Sequence, residues 1–415
     1  MSEQTVSRPA GATRTGSASS RSAPARSRGS VVKWVLIAAL LGFLLVFPLY
    51  FDEFWLRTGF AVFGAAIGAI GLNLLVGTTG QLSLAHAFFL AVGAVSYSYI
   101  SGESGGLGTR AGIEGLGLPP VVGMVVGVLL AGLAGLVFSP IAARLRGIYL
   151  GVASLGLVFI GVHVINTWTP VTGGFNGRAA PEFSLFGFTF GNSDPQLWVL
   201  GVPFREAERL WYLGLVLALA AYVFARNLLR SRPGRALQTL RDSEVAASVM
   251  GVNVQAYKAR VFLVSSMYAG LSGVLYALSI GSIAPESFTL VVSIQYLAMI
   301  VLGGLGSVGG AALGALFVTA LPLLFQQYAD VLPLVSAPGQ GGISAGFAAR
   351  FLYGAAIILI VMFEPAGLAG IAQRITSRFR RGRAPARGAV TTPPPEQPGS
   401  APTPSDRPAQ GSDTR

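Results

Sequence analysis

The apolar residues of this chain fall in uninterrupted blocks, and that arrangement limits the folds open to it. Each block is roughly 17–20 residues long, the length that an α-helix needs to cross the hydrocarbon core of a bilayer. Of the 415 residues, 52% are hydrophobic and 11% are charged, too few charges to cover a soluble protein of this size. We therefore predict an all-α, polytopic α-helical integral membrane protein with about ten transmembrane helices. The predicted spans are 32–49, 60–76, 84–100, 119–138, 149–167, 209–224, 261–280, 291–305, 309–325 and 351–363.

The positive charges lie mostly on one side of this predicted topology. Most of the 29 Lys and Arg residues fall in the two tails and in alternate loops, above all in 226–260. Because cytosolic segments of membrane proteins carry the excess of Lys and Arg, we predict a cell-membrane location with both termini cytosolic. The net charge of +12 then reflects membrane orientation rather than nucleic-acid binding. The predicted domains are a disordered tail (1–30), a transmembrane domain (31–370) and a disordered basic, Pro-rich tail (371–415).

The sequence lacks the residues that membrane enzymes and self-powered transporters commonly need. It has no cysteine and only two histidines, His86 and His163, which argues against thiol chemistry and a His-rich metal site. It has no Gly-x-x-x-x-Gly-Lys-Ser/Thr sequence to hold ATP phosphates, and no predicted span carries a central charged residue. We therefore expect neither a cofactor nor an ATPase site. These absences disfavour the alternatives of a stand-alone secondary transporter, a channel or a membrane enzyme.

A polar segment at 77–86 interrupts the apolar pattern between two predicted spans. Its glycines permit a break in the helix, and Gln81, Ser83 and His86 supply hydrogen-bonding side chains. Non-helical backbone at membrane depth is tolerated where protein or a water-filled cavity satisfies it, and such breaks often mark transport sites. The alternative is a short cytosolic turn with an interfacial histidine. Asn73, in the preceding apolar span, either lines the same pathway or hydrogen-bonds a neighbouring helix.

Two further sets of glycines are candidates for solute binding or for helix packing. The outer loop at 172–177 contains Gly173 and Gly174, whose backbone amides are candidates for binding a carboxylate, although the composition by itself indicates only a turn. Gly306, Gly310 and Gly314 form two successive small-xxx-small steps, a spacing typical of closely packed membrane helices. We predict a helix-packing role for these three glycines, with a gating role as the alternative.

The 226–260 loop is the longest predicted cytosolic segment between spans. After Pro233-Gly234, residues 235–250 have the pattern of one amphipathic helix, and Gly251 suits its C-terminal cap. Such a helix either lies on the membrane surface or docks in a groove of a cytosolic partner. The apolar residues expected to gather on one side are Leu237, Leu240, Val245, Val249 and Met250.

Residues 60–370 together resemble the LivM-type permeases of ATP-binding cassette (ABC) importers for branched-chain amino acids. Four segments carry the resemblance, and each alone would be a weak signal. They are GLNLLVGTTGQLSLAH (71–86); RGIYL (146–150) with TGG (172–174); GRA (234–236), RDSEVAA (241–247) and GVN (251–253); and VLGGLGS (301–307) with FEPAGL (363–368). Ala85 departs from the pattern, since the family commonly has glycine there.

The resemblance implies that 226–260 is a coupling loop whose helix docks on an ATPase subunit. Ala246, Ala247 and Gly251 match positions of the signature that permeases of this class share, and Glu244 stands one residue further upstream, as is usual in this branch. Arg235 and Arg241 belong to the same implied coupling helix. The translocation-pathway candidates are Asn73, Gln81, Ser83, His86, Gly173 and Gly174.

The resemblance also implies the partners and the energy source. A permease of this family works with a second, LivH-type permease, two ABC ATPase subunits that bind the ATP, and an extracytoplasmic solute-binding protein, all within membrane lipid. Branched-chain or related amino acids are the expected solutes. Urea, short amides and aromatic acids are the alternatives, because relatives carry them and the binding protein largely sets the solute.

Overall fold

A computed structural model gives the structure of the chain. It describes residues 28–103, 114–145, 147–191, 197–199, 202–328, 335–336, 343–363, 367–371 and 374. The predicted tails at 1–30 and 371–415 lie almost entirely outside the described residues, as does Arg146 of the second resemblance segment. Among the described residues the secondary structure is predominantly helical, which confirms the predicted all-α class.

The helices follow the apolar blocks closely. They are α1 (Arg28–Val46), α2 (Glu53–Thr79), α3 (His86–Ser101), α4 (Pro120–Arg144), α5 (Ile148–Thr167), α6 (Thr169–Thr172), α7 (Glu206–Arg230), α8 (Arg232–Asp242), α9 (Glu244–Val249), α10 (Val254–Ile280), α11 (Leu290–Gly303), α12 (Val308–Gln327) and α13 (Ala345–Phe363). Single-turn 3-10 helices cover Phe47–Leu49, Gly174–Asn176 and Pro285–Phe288. Each predicted span thus overlaps a helix.

Six of the described helices are long and apolar enough to cross a membrane: α2, α4, α5, α7, α10 and α12. Two shorter apolar helices cover Val35–Leu49 and Leu290–Gly303. The polytopic helical membrane fold is therefore confirmed, whereas the total of about ten spans stays a prediction.

Helices α2 and α10 form the centre of the bundle. The most apolar windows of α2 and α10 are 78% and 72% buried, whereas those of α5 and α7 are 33% and 17% buried. Small residues bring the central helices together: a side chain on Gly93 of α3 would lie 2.5 Å from the Cα of Gly270 in α10. The Ser272 hydroxyl of α10 donates to the Gly64 carbonyl of α2 over 2.7 Å. In a bilayer, close backbone approach and interhelical hydrogen bonds of this kind hold helices together.

Short strands occur only as pairs among the described residues. β1 (Arg178–Ala179) pairs antiparallel with β6 (Ser282–Ile283), β2 (Ser184–Leu185) with β3 (Phe188–Thr189), and β4 (Leu197–Val199) with β5 (Val202–Phe204). β7 (Val335–Ser336) pairs parallel with β8 (Ile343–Ser344). The first three pairs lie between spans, so they belong to the segments that connect the helices and do not form a separate layer.

The segment predicted as one amphipathic helix over 235–250 is instead two helices, α8 and α9. The helix is interrupted at Ser243. The Ser243 hydroxyl accepts a hydrogen bond from the Ala246 amide and so caps the start of a new helix. Serine is a preferred N-cap residue because its side chain satisfies a first-turn amide that has no partner within the helix. Pro233 stands in the first turn of α8, where its missing amide hydrogen does no harm. We call α8 and α9 together the coupling segment, after the role that the sequence resemblance implies for them.

Candidate functional site

The helix break predicted at 77–86 is present between α2 and α3. Helix α2 ends at Thr79, and Gly80 takes a left-handed conformation with φ of 69°. The hydroxyls of Thr78 and Thr79 donate to the carbonyls of Leu74 and Leu75, which gives both buried hydroxyls a partner within the helix. Helix α3 begins at His86. We call the non-helical residues 80–85 the break.

Two polar side chains at the break are buried with hydrogen-bonding atoms that have no partner among the described residues. Gln81 is 7% exposed, and neither its amide nitrogen nor its amide oxygen is hydrogen-bonded. His86 is 2% exposed, and its Nε2 atom also lacks a partner. Burying an unpaired polar group costs about 1–3 kcal/mol, so such groups call for an explanation. They are available to bind water or a solute that enters this part of the bundle.

Helices α5 and α11 hold the backbone of the break and of the first turn of α3. The Ser154 hydroxyl of α5 accepts from the Leu84 amide at 2.8 Å, and the Ser293 hydroxyl of α11 accepts from the Ala87 amide at 3.0 Å. The His86 ring lies 4.6 Å from the Tyr296 ring of α11 and hydrogen-bonds the backbone of Gly68 in α2.

Sequence reasoning missed these three partners. Ser154, Ser293 and Tyr296 are polar residues within apolar helices, which was the signal that could have identified them. Tyr296 is in turn bonded to Ser272 of α10 at 2.8 Å. Ser83 is buried as well, and its hydroxyl accepts a long bond of 3.4 Å from the Ala85 amide.

Both polar atoms of the Asn73 side chain are hydrogen-bonded within the protein. Its amide oxygen accepts from the Gly306 amide at 2.9 Å, and its amide nitrogen donates to the Ser307 carbonyl, also at 2.9 Å. Asn73 therefore fastens α2 to the turn between α11 and α12. Of the two predicted roles, the structure shows the interhelical hydrogen bond.

The three glycines predicted to pack helices have different positions. Gly306 lies in the α11–α12 turn with φ of 82°, so it is a turn residue and not part of a helix face. Gly310 and Gly314 do lie on α12, against α11. A side chain added at Gly310 would stand 3.0 Å from the Gly303 carbonyl carbon, and one added at Gly314 would stand 3.0 Å from the Gly303 nitrogen.

Gly173 and Gly174 lie away from the break. Both have positive φ, and the Gly174 amide donates to the Thr172 hydroxyl, which donates to the Ile165 carbonyl near the end of α5. Ser154, which holds the break, is eleven residues earlier on α5, about 16 Å along the helix axis. The structure therefore does not bring these glycines together with Gln81 and His86.

The two halves of the coupling segment differ in burial. Leu237 and Leu240 of α8 are buried against the bundle. In α9 and directly after it, the large apolar residues point outwards: Val245, Val249 and Met250 are 70%, 82% and 75% exposed. The prediction that all five gather on one side is wrong, because the break at Ser243 turns the second half away.

The residues of the implied coupling helix divide in the same way. Ala246 is exposed, but Ala247 is completely buried within the chain, so it is not part of the docking surface that the sequence suggested. Gly251 has φ of 81°, the left-handed conformation expected of a C-terminal cap. Arg235 is exposed on α8.

Two polar contacts join the coupling segment to the central helices. Arg241, near the end of α8, donates from Nη1 to the Gly77 carbonyl of α2 at 2.7 Å. Glu244, at the start of α9, forms an ion pair with Lys258 of α10 over 2.7 Å. Lys258 is 2% exposed, and this contact explains how a lysine is tolerated there.

Comparison with known proteins places the chain among permeases. It matches the family of branched-chain amino acid transport system permease components over residues 55–362. It is 29% identical to the high-affinity branched-chain amino acid transport system permease protein LivM of Escherichia coli (strain K12), over 82% of this chain and 76% of that protein. No solved structure shows a significant match.

Two other relatives match over a smaller part of the chain. The ribose import permease protein RbsC of Escherichia coli (strain K12) is 30% identical over 59% of this chain and 67% of that protein. The high-affinity branched-chain amino acid transport system permease protein LivH of Salmonella typhimurium is 25% identical over 63% of this chain and 82% of that protein.

Proposed function

The chain belongs to the family of branched-chain amino acid transport system permease components, and we propose that it carries branched-chain or related amino acids across the cell membrane. The observation that supports this solute class is the extent of the match to LivM, which covers 82% of the chain, against 59% for the ribose permease. Urea, short amides and aromatic acids remain the competing solutes, because the permease alone does not set the choice.

The proposed route passes the break between α2 and α3. Gln81 and His86 support it, since each is buried and keeps a polar atom unpaired, and a passing solute or its water could bind there. Ser83 lies between them with a weakly held hydroxyl. Gly173 and Gly174 would meet the solute at a separate place near the end of α5, and Asn73 would act by holding α2 in position.

The energy for transport is proposed to come from partner subunits. The chain would assemble with a LivH-type permease and two ABC ATPases, which bind the ATP, and would receive its solute from an extracytoplasmic binding protein. Both termini and the coupling segment would then face the cytosol. The exposed apolar residues of α9 support a docked partner, because apolar side chains outside the bilayer gain stability when a protein surface covers them.

Substrate competition in proteoliposomes tests this proposal. The chain is reconstituted with its partner permease, ATPases and binding protein, and uptake of radiolabelled leucine is measured with ATP present. A tenfold excess of unlabelled valine or isoleucine should suppress uptake, whereas ribose and urea should not. Suppression by urea or ribose, with none by valine, would overturn the proposed solute class while leaving the permease role intact.

A further inference from the structure

One side chain connects the coupling segment to the place where the central helix α2 ends. The Arg241 guanidinium donates to the Gly77 carbonyl, which belongs to the last turn of α2 and has no partner inside the helix. The partial negative charge at a helix C-terminus strengthens a bond from a cation. The contact is therefore a specific attachment and not merely a nearby charge.

The Arg241 side chain also lies beside the break and beside the α11–α12 turn. The Arg241 Cγ atom is 3.7 Å from the position of a side chain on Gly80, where the break begins. Its Nη1 atom is 3.6 Å from the corresponding position on Gly306, in the turn that Asn73 holds. Arg241 thus touches the end of α2, the start of the break and the α11–α12 turn at one point.

Glycine at position 77 makes this meeting possible. An added side chain there would lie 2.5 Å from the Gly306 nitrogen and would also collide with the Asn73 amide oxygen. The α2 backbone and the α11–α12 turn are consequently in direct contact beneath the guanidinium. A shift of Arg241 therefore moves α2 directly, because closely packed segments change position together and do not deform gradually.

The second attachment makes the coupling segment bridge both central helices. Glu244 binds Lys258 in the first turns of α10, and only residues 242 and 243 separate it from Arg241. Movement of α9 must therefore change the relation between α2 and α10. The lysine end of this pair is buried, whereas Arg241 is exposed, so the arginine contact is the one that can break and re-form in water.

We propose that Arg241 is the positioning residue that sets the break, holding Gln81 and His86 buried while it binds the Gly77 carbonyl and releasing them when the coupling segment moves. The proposal rests on the proposed function, because it needs an ATP-driven partner on α9. It extends that function by naming the contact through which the movement reaches the pathway.

The test compares Arg241→Ala with Arg232→Ala in the complete reconstituted complex. Arg232 is a matched control, since it is an exposed arginine at the opposite end of the same helix. Uptake per ATP hydrolysed should fall about tenfold in Arg241→Ala, as expected for losing one charged hydrogen bond in one of two states. Arg241→Lys should restore part of it, and Arg232→Ala should match the unaltered chain.

A second readout follows the break directly. Because the chain has no cysteine, Leu84→Cys supplies a single alkylation site within the break. Its labelling rate should change on adding ATP, and Arg241→Ala should abolish that change, giving one rate with or without ATP.

Three results would overturn the proposal: an unaltered ratio of uptake to hydrolysis in Arg241→Ala, an ATP-dependent labelling change that survives it, or a failure of this variant alone to assemble. If the unaltered complex shows no ATP-driven uptake at all, the proposed function fails instead.

Discussion

The break and the α9 surface depart from ordinary membrane-protein burial in opposite directions. At the break, the polar side chains of Gln81 and His86 are buried with unpaired atoms. On α9, the apolar side chains of Val249 and Met250 are exposed in a segment rich in charges. Each arrangement is unfavourable for the chain alone, because buried polar groups need partners and exposed apolar groups favour association.

The contrast shows what each region is suited to bind. The break offers three unpaired polar atoms, two on Gln81 and one on His86, which suit a small polar guest. The α9 surface offers three neighbouring apolar side chains, which suit an apolar protein surface. Asn73 provides the reference: it is equally polar and buried, but both ends of its side chain are satisfied, so it contributes to stability.

The largest expected effect follows from removing the apolar surface of α9. The double variant Val249→Asp/Met250→Asp should reduce binding of the ATPase subunits about 100-fold or more, because each central apolar contact of an interface can contribute about 2 kcal/mol. Co-purification from detergent measures the loss. Phe186→Asp is the control, since Phe186 is fully exposed in the β2–β3 hairpin, far along the chain from α9. Normal ATPase recovery from the α9 variant would remove this surface from the account of coupling.

The next effect concerns the break. Gln81→Ala/Ser83→Ala should lower uptake about tenfold, which corresponds to about 1.4 kcal/mol of lost solute contact. The thermal unfolding temperature should not fall, because removing an unpaired buried amide relieves a penalty. Uptake and unfolding are measured on the same preparations. Unchanged transport would reduce the break to a structural turn.

Asn73→Ala tests the comparison at a buried polar side chain that already has its hydrogen-bond partners. It should destabilise the chain by about 1–3 kcal/mol, because the Gly306 amide and Ser307 carbonyl lose their partner. Any loss of transport should then be in proportion to the loss of folded protein. Denaturation in detergent gives the stability, and a stable variant with abolished uptake would assign Asn73 to the pathway instead.

The smallest effect belongs to Gly251. Its φ of 81° is a left-handed conformation with open space around it, so Gly251→Ala meets backbone strain of about 1 kcal/mol and no collision. ATPase binding should weaken by less than about tenfold. Co-purification at two salt concentrations measures it, and a loss as large as that of the α9 double variant would mean that Gly251 itself contacts the partner.

Much of the helical framework could be predicted from the sequence, because a span needs a long apolar run whatever its neighbours are. Which helix lies inside could not, since lipid is as apolar as a protein core. The apolar windows of α2 and α5 have mean hydropathies of 2.0 and 2.2, yet 78% of the first and 33% of the second are buried.

The site was predictable only in part for a related reason. The break followed from Gly80 and the polar residues after it, which are local signals. The partners Ser154, Ser293 and Arg241 contact it from distant parts of the chain, and no periodicity encodes such contacts. The division of the coupling segment depended on one N-cap, Ser243, which the amphipathic pattern across it concealed.

The most direct test of the central claim is whether uptake depends on ATPases that partner subunits supply. Leucine accumulation is measured in proteoliposomes that contain the chain and its LivH-type partner, with the binding protein present, with and without the ATPase subunits, at equal internal ATP. Accumulation above the external concentration is expected only when the ATPases are present and ATP can be hydrolysed. Equal accumulation without them would contradict the claim, since the chain would then be a transporter with an energy source of its own.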